Sequence, residues 1–176
     1  DQDEVWKSFR SGTKVRNHVR KGRRSGITTV SGGLDKLDEF YDIYTIRMHQ
    51  LGSPCYSRKL MKNILETFPE NSKIFLARLG NVTVAARLVF EFNGLIESCW
   101  GVTRIEYNRL SPNHVLYWAV MEYYCRAGAK WFDFGRSTVD SMHHRFKEQW
   151  DAEPLQLNYQ FWLRPSRKLN LVSSNN

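Results

Sequence analysis

Apolar and polar positions along the chain change period several times, and each change marks an element. Ile27 to Val30 is a short β-branched run closed by Ser31-Gly32-Gly33, which predicts a strand and a turn. Leu37, Phe40, Tyr41, Tyr44 and Met48 then recur at helical spacing and predict a helix from about Asp35 to Leu51. Pro54 interrupts the pattern. A second helix is expected from about Ser57 to Phe68, with Leu60, Met61, Ile64 and Leu65 on its core side and Pro69 as its stop. Lys73 to Leu79, Val82 to Phe92 and Leu95 to Val102 are rich in β-branched and aromatic residues, and Gly80-Asn81 and Asn93-Gly94 separate them. That punctuation predicts tight antiparallel hairpins, hence a three-stranded meander.

Ser111-Pro112 reads as an N-cap followed by Pro at the first helical position, where a missing N–H costs nothing. The helix it opens should bury Val115, Leu116, Ala119, Val120 and Tyr123 and end near Gly128. Trp131 to Phe134 is a short strand closed by Gly135; Ser141 can cap a last helix from about Met142 to Trp150. Met142, Phe146 and Trp150 stack on that helix as an apolar stripe and are expected in the core. Leu155 to Leu163 alternates as a final strand, and residues 164–176 look like a flexible tail. The order is helix, strand, two helices, meander, helix, strand, helix, strand, which is the α+β class around a mixed, mostly antiparallel sheet.

Composition narrows the class. At 176 residues with 41% hydrophobic content the chain has material for one compact domain and a real core. Arg87 and Glu91 break one apolar run and Glu122 another, so no transmembrane helix is expected and the domain should be soluble. The chain starts Asp1-Gln2-Asp3-Glu4, without an initiator Met or a charged-then-apolar leader, and reads as a cytoplasmic piece of something longer. Cys55, Cys99 and Cys125 are widely spaced with no metal-ligand pattern, so no metal is expected and buried reduced thiols are.

The formal charge of +8 is uneven, because residues 1–26 hold eight basic and three acidic groups. Lys14, Arg16, Arg20, Lys21, Arg23 and Arg24 fall within eleven positions without one acid, while Val15 and Val19 give the same helix an apolar edge. Residues 1–26 are therefore expected as a basic helical segment that packs on the domain. Arg16, Arg20, Lys21 and Arg24 are candidates to bind a polyanion, since several Arg forks on one face can each grip phosphate oxygens.

Nucleophile elbows, P-loops, zincin pairs and dinucleotide fingerprints are all missing from the sequence. The informative stretch is Trp131 to Trp150, in which a strand delivers Arg136 and Ser137 into a polar loop. The following helix puts His143 and Lys147 on one edge beside its apolar stripe. Asp133 alternates with Phe132 and Phe134, so it faces away from them, where it is expected to accept hydrogen bonds from an Arg.

The runs FDFGRS (132–137) and HRFKEQWDAEPLQLNY (144–159), with the basic KVRNHVRKGRRSGI (14–27), resemble the FemAB-like aminoacyltransferases, in particular the FemAB-related group associated with exosortases and exopolysaccharide. The resemblance spans about residues 5–163 and implies the GNAT fold, with residues 27–163 as the acyltransferase domain and a second GNAT-like domain elsewhere in the full chain. It further implies transfer of an acyl or aminoacyl group to an amine of an envelope or polysaccharide precursor. An aminoacyl-tRNA or acyl-CoA would be the donor, with no tightly bound cofactor. By the same resemblance Lys147 and Phe146 lie at the transfer site, Arg136 and Ser137 bind substrate, and Arg20 and Lys21 contact a polyanionic donor; Asp133 and His143 are further substrate-binding candidates. The segment Asn108 to Asn113 departs from acetyl-CoA-using relatives, for it offers Leu110-Ser111-Pro112 and no Gly. The competing reading is a non-catalytic module that binds tRNA or another polyanion through residues 14–24.

Overall fold

The structure is a computed structural model that describes residues 1–9 and 14–164. Its elements are α1 (Gln2–Ser8), α2 (Val15–Arg24), β1 (Ile27–Gly32), α3 (Leu37–Gln50), α4 (Arg58–Thr67), β2 (Ser72–Leu79), β3 (Val82–Phe92), β4 (Leu95–Thr103), α5 (Pro112–Arg126), β5 (Trp131–Asp133) and α6 (Met142–Glu148). The five strands form one sheet in the order β1-β2-β3-β4-β5; every pairing is antiparallel except β4 with β5.

Each face of the sheet carries its own core. On one face Leu37, Phe40 and Ile43 of α3 and Met61 and Leu65 of α4 pack on Ile74, Leu76, Ala86, Leu88 and Val102. On the other, Val115, Leu116 and Val120 of α5 pack on Phe75, Ala77, Ala85, Val89 and Ile96. A third cluster lies outside α5, where Phe9, Val15 and Val19 meet Tyr117, Trp118, Met121 and Trp150. Gly22 makes this layer possible: a Cβ there would lie 2.3 Å from a Val115 methyl carbon and 2.9 Å from the Leu110 carbonyl oxygen. Helix α5 is thus sandwiched, which is why Tyr117, Trp118 and Met121 are buried in addition to the single stripe its sequence suggests. Tyr123, expected inside, is instead 41% exposed, and its neighbour Tyr124 takes the core position.

Other expectations are corrected. Leu155 to Leu163 forms no strand, because alternation fixes only which way side chains point and no strand among the described residues pairs with it. Met142 is 84% exposed, since α6 buries its stripe only from Phe146 onward toward Trp150. Cys55 is exposed and Cys99 and Cys125 are half-buried, so none of the thiols is in the core. The tail beyond Arg164 lies outside the described residues.

Candidate functional site at the fork of β4 and β5

The only parallel pair of strands among the described residues is short. Leu95, Ile96 and Glu97 pair with Trp131, Phe132 and Asp133, after which β4 continues from Ser98 to Thr103 without β5, paired only with β3. The chain beyond β5 turns away at Gly135, whose φ of +73° is in the region that favours glycine. Asp133 Oδ1 accepts a 2.6 Å hydrogen bond from the Gly135 N–H, so this carboxylate stabilises the turn, and among the described residues it pairs with no Arg. The two strands therefore part at Ser98, leaving a fork.

Helix α6 closes over the fork. Ser141 caps it by accepting a hydrogen bond from the His144 N–H at 3.1 Å, which fixes its start and thereby the direction of Phe146 and Lys147. The Lys147 ammonium donates to the Gly135 carbonyl oxygen. Burial pushes the Lys147 pKa down from its ordinary value, and the nearby Asp133 charge opposes that shift. Phe146 packs 5.1 Å from the His114 ring and 5.4 Å from the Tyr117 ring. The structure thus brings Phe146, Lys147 and Asp133 together. Ser137 is half-buried; Arg136 and His143 are exposed, and none of the three makes a hydrogen bond or ion pair among the described residues.

Sequence reasoning passed over what lies beneath the fork. Arg87 of β3 is 5% exposed and faces α5. Its guanidinium lies 3.7 Å from the centre of the Tyr117 ring, donates to Ser98 Oγ, and donates to Asn113 Oδ1 at 3.1 Å; Nε is buried without a partner. Opposite it on β4 stands Gly101, where a Cβ would come within 2.6 Å of three guanidinium atoms. No carboxylate pairs with Arg87 among the described residues. The available signal was the charge of Arg87 set within the apolar run Val84 to Phe90 of β3.

A second polar junction docks α2. Ser111 takes φ +59° and ψ +40° and makes no side-chain cap, contrary to the N-cap expected from Ser-Pro; its hydroxyl bonds His18 Nδ1 at 2.8 Å instead. The His18 and His114 rings stack at 4.3 Å. Burial, followed by the neighbouring His18, lowers the His114 pKa to about 4, with a hydrogen bond to Gln149 opposing the shift. Burial and then the charges of Lys21 and Lys14 lower that of His18.

The basic run divides by face. Arg23 turns inward to Glu122 at 3.1 Å, and Arg16 is half-buried. Arg20, Lys21 and Arg24 surround, with Asn17 and Ser25, a depression of about 420 Å³; no carboxylate pairs with these three cations among the described residues. Arg20 also lies 5.8 Å from the Trp6 ring centre. A smaller depression of about 150 Å³ lies between β1 and α5. Lys147 and Arg136 line neither of these two depressions. Among the described residues no group of three or more His, Cys, Asp or Glu could hold a metal, and no helix is long and apolar enough to cross a membrane.

Comparison with known proteins gives a consistent fold. The acetyltransferase (GNAT) domain family matches residues 7–150. FemX has the same fold over 85% of this chain, with a TM-score of 0.73 and 17% identity; the chain spans 56% of the FemX length. An aminoglycoside acetyltransferase from an uncultured soil metagenomic sample, solved with trehalose, matches over 79% of this chain and 97% of its own, with a TM-score of 0.64 and 15% identity. The C-terminal domain of a putative lysylphosphatidylglycerol synthetase from Agrobacterium fabrum matches over 84% of this chain and 54% of its own, with a TM-score of 0.64 and 14% identity. No curated protein matches in sequence.

Proposed function

The chain belongs to the acetyltransferase (GNAT) domain family and is an acyltransferase domain, and we propose that it moves an acyl or aminoacyl group from an activated ester or thioester to an amine on an envelope or polysaccharide precursor. The observation that carries this reading is the Lys147 ammonium held at the fork on the Gly135 carbonyl, next to Phe146, whose ring packs on the Tyr117 ring that the buried Arg87 also contacts. In the reaction an amine lone pair attacks the carbonyl carbon, a C–N bond forms, and the carbonyl π electrons move to oxygen. Collapse re-forms C=O and breaks the C–O or C–S bond, and the proton lost by nitrogen ends on the leaving group. Lys147 neutralises the negative charge that develops, or a phosphate of the donor, and Phe146 walls the site. Arg136 and Ser137, whose side chains have no hydrogen bond or ion pair among the described residues, bind the acceptor together with Asp133 and His143.

The start of α5 bears on the donor. Pro112 has no N–H, and the N–H groups of His114 and Val115 both bond the Ser111 carbonyl, leaving one free N–H at Asn113 for a diphosphate. This favours an aminoacyl-tRNA ester over a CoA thioester. The reaction is placed in the cytoplasm, with a second domain supplying much of the acceptor site; FemX, of which this chain spans little more than half, supports that division.

Lys147→Ala should abolish transfer in the full chain while the unfolding temperature stays within a few degrees of wild type. Wild-type turnover in that variant would refute the assignment. A second reading, a polyanion-binding module, is favoured by the unpaired cations around the α2 depression. Charge reversal at Arg20 and Lys21 should weaken RNA binding and make the log K against log salt slope shallower by about 1.4 to 1.8, from ~0.7–0.9 for each of two phosphate contacts. An unchanged slope would remove α2 from the interface.

A further inference from the structure

The cost of Arg87 has to be explained. A guanidinium taken out of water loses several kcal/mol of hydration, and a carboxylate partner is the usual compensation. Here the compensation is made of neutral groups taken from three elements: Ser98 on β4, Asn113 and the Tyr117 ring on α5, with Gly101 leaving the space. A carboxylate in contact would have cancelled the field of the cation; this arrangement preserves it.

The field acts on Ser98. Arg87 donates to Ser98 Oγ, so the hydroxyl oxygen is the acceptor in that bond and its own proton is left to donate. Among the described residues no acceptor takes that proton. Ser98 is buried, and it is the first residue of β4 beyond the last β4–β5 pair, Glu97 with Asp133. A Cβ on Gly135 would lie 3.9 Å from the Ser98 carbonyl oxygen, and the Gly135 carbonyl oxygen is the atom that Lys147 holds. The Ser98 backbone and the Lys147 ammonium therefore both lie against the turn at Gly135.

We propose that Ser98 is a catalytic hydrogen-bond donor at the fork, made strong by Arg87, and that it donates to the carbonyl oxygen of the acyl group as that oxygen becomes negative. Arg87 is the positioning residue behind it. No proton is transferred by Ser98: the bond to the oxyanion tightens as nitrogen adds to carbon and relaxes when the leaving group departs, so the balance of the reaction is unchanged. A hydroxyl polarised by a cation is a better donor than a neutral one, and it gains most when the acceptor carries charge, which is the condition for lowering a barrier without tightening ground-state binding. This role rests on the acyl-transfer reading given above.

Two measurements test it, one of which needs no turnover. In Ser98→Cys the new thiol should ionise below the ordinary ~8.5 because of the adjacent guanidinium, read as thiolate absorbance relative to wild type, and the midpoint should rise again in Ser98→Cys with Arg87→Met. A midpoint at or above the ordinary value that ignores Arg87 overturns the polarisation. In transfer assays Ser98→Ala should lower kcat about 100- to 1,000-fold with little change in donor KM, and Ser98→Thr should restore most of it. Full kcat in Ser98→Ala overturns the catalytic role. If instead Lys147→Ala keeps full activity while Ser98→Ala loses it, the fault lies in the assignment of Lys147 and the Ser98 proposal stands.

Discussion

Gly101→Ala isolates the packing of the buried cation. The residue is paired with Arg87 across β3 and β4 and is not at positive φ, so alanine meets no backbone strain, and intrinsic preference alone would favour it by roughly 0.5–1 kcal/mol. The added methyl would instead sit 2.6 Å from Cζ and both terminal nitrogens of Arg87. The side chain cannot swing aside cheaply, because it rests on Tyr117 and is tied to Ser98 and Asn113. Displacing it costs one hydrogen bond to a charged group, about 1.5–3 kcal/mol, together with overpacking of about 1–3 kcal/mol. Set against the intrinsic gain, the net loss is about 2–5 kcal/mol. For a domain of this size each kcal/mol moves Tm by roughly 2–4 °C, so thermal unfolding should fall by about 4–20 °C. The decisive form is a double-mutant cycle with Arg87→Met. Removing the guanidinium removes both the clash and the buried charge, so the single Met variant should stay near wild-type stability and Gly101→Ala should cost much less in its presence. Equal loss from Gly101→Ala in both backgrounds would show that the clash is not with Arg87.

Two further outcomes follow from the docking of α2. The neutral form of His114 is favoured in the folded protein, so its contribution to stability is complete above its unfolded value of 6.5 and is lost as pH falls from there to about 4. Urea midpoints should decline across that window, and His114→Phe should flatten the decline; an equally steep fall in the variant would place the effect on other groups. Gly22→Ala should lift α2 from α5 at a cost of about 1–3 kcal/mol, because its methyl would meet Val115 and the Leu110 carbonyl oxygen. Chemical denaturation checks it, and a loss below about 0.5 kcal/mol would mean that the interface relaxes freely.

What the sequence revealed depended on whether the signal was local. The meander was legible because Gly80-Asn81 and Asn93-Gly94 punctuate runs rich in β-branched and aromatic residues, and α6 was legible because Ser141 caps it in the expected way. Lys147 and Phe146 were placed together by their adjacency and by family resemblance. Arg87 was not legible, since its meaning lies in partners on β4 and α5 that only the folded sheet brings to it. The Ser111 cap failed for the same reason: a histidine 93 positions earlier claims its hydroxyl, and local propensity yields to that contact. The strand expected at Leu155 to Leu163 shows the opposite error, an alternating pattern with no neighbour to pair it.

The sandwiching of α5 decides how this domain could be excised. Cutting at Ile27 would look natural from the sheet alone, since every strand and both α3 and α4 would survive. It would also strip Val15, Val19 and Phe9 from Trp118, Met121 and Trp150, uncovering an aromatic seam. The minimal autonomous unit therefore begins upstream of the first strand, and its most cationic helix travels with it as a structural obligation as much as a functional choice.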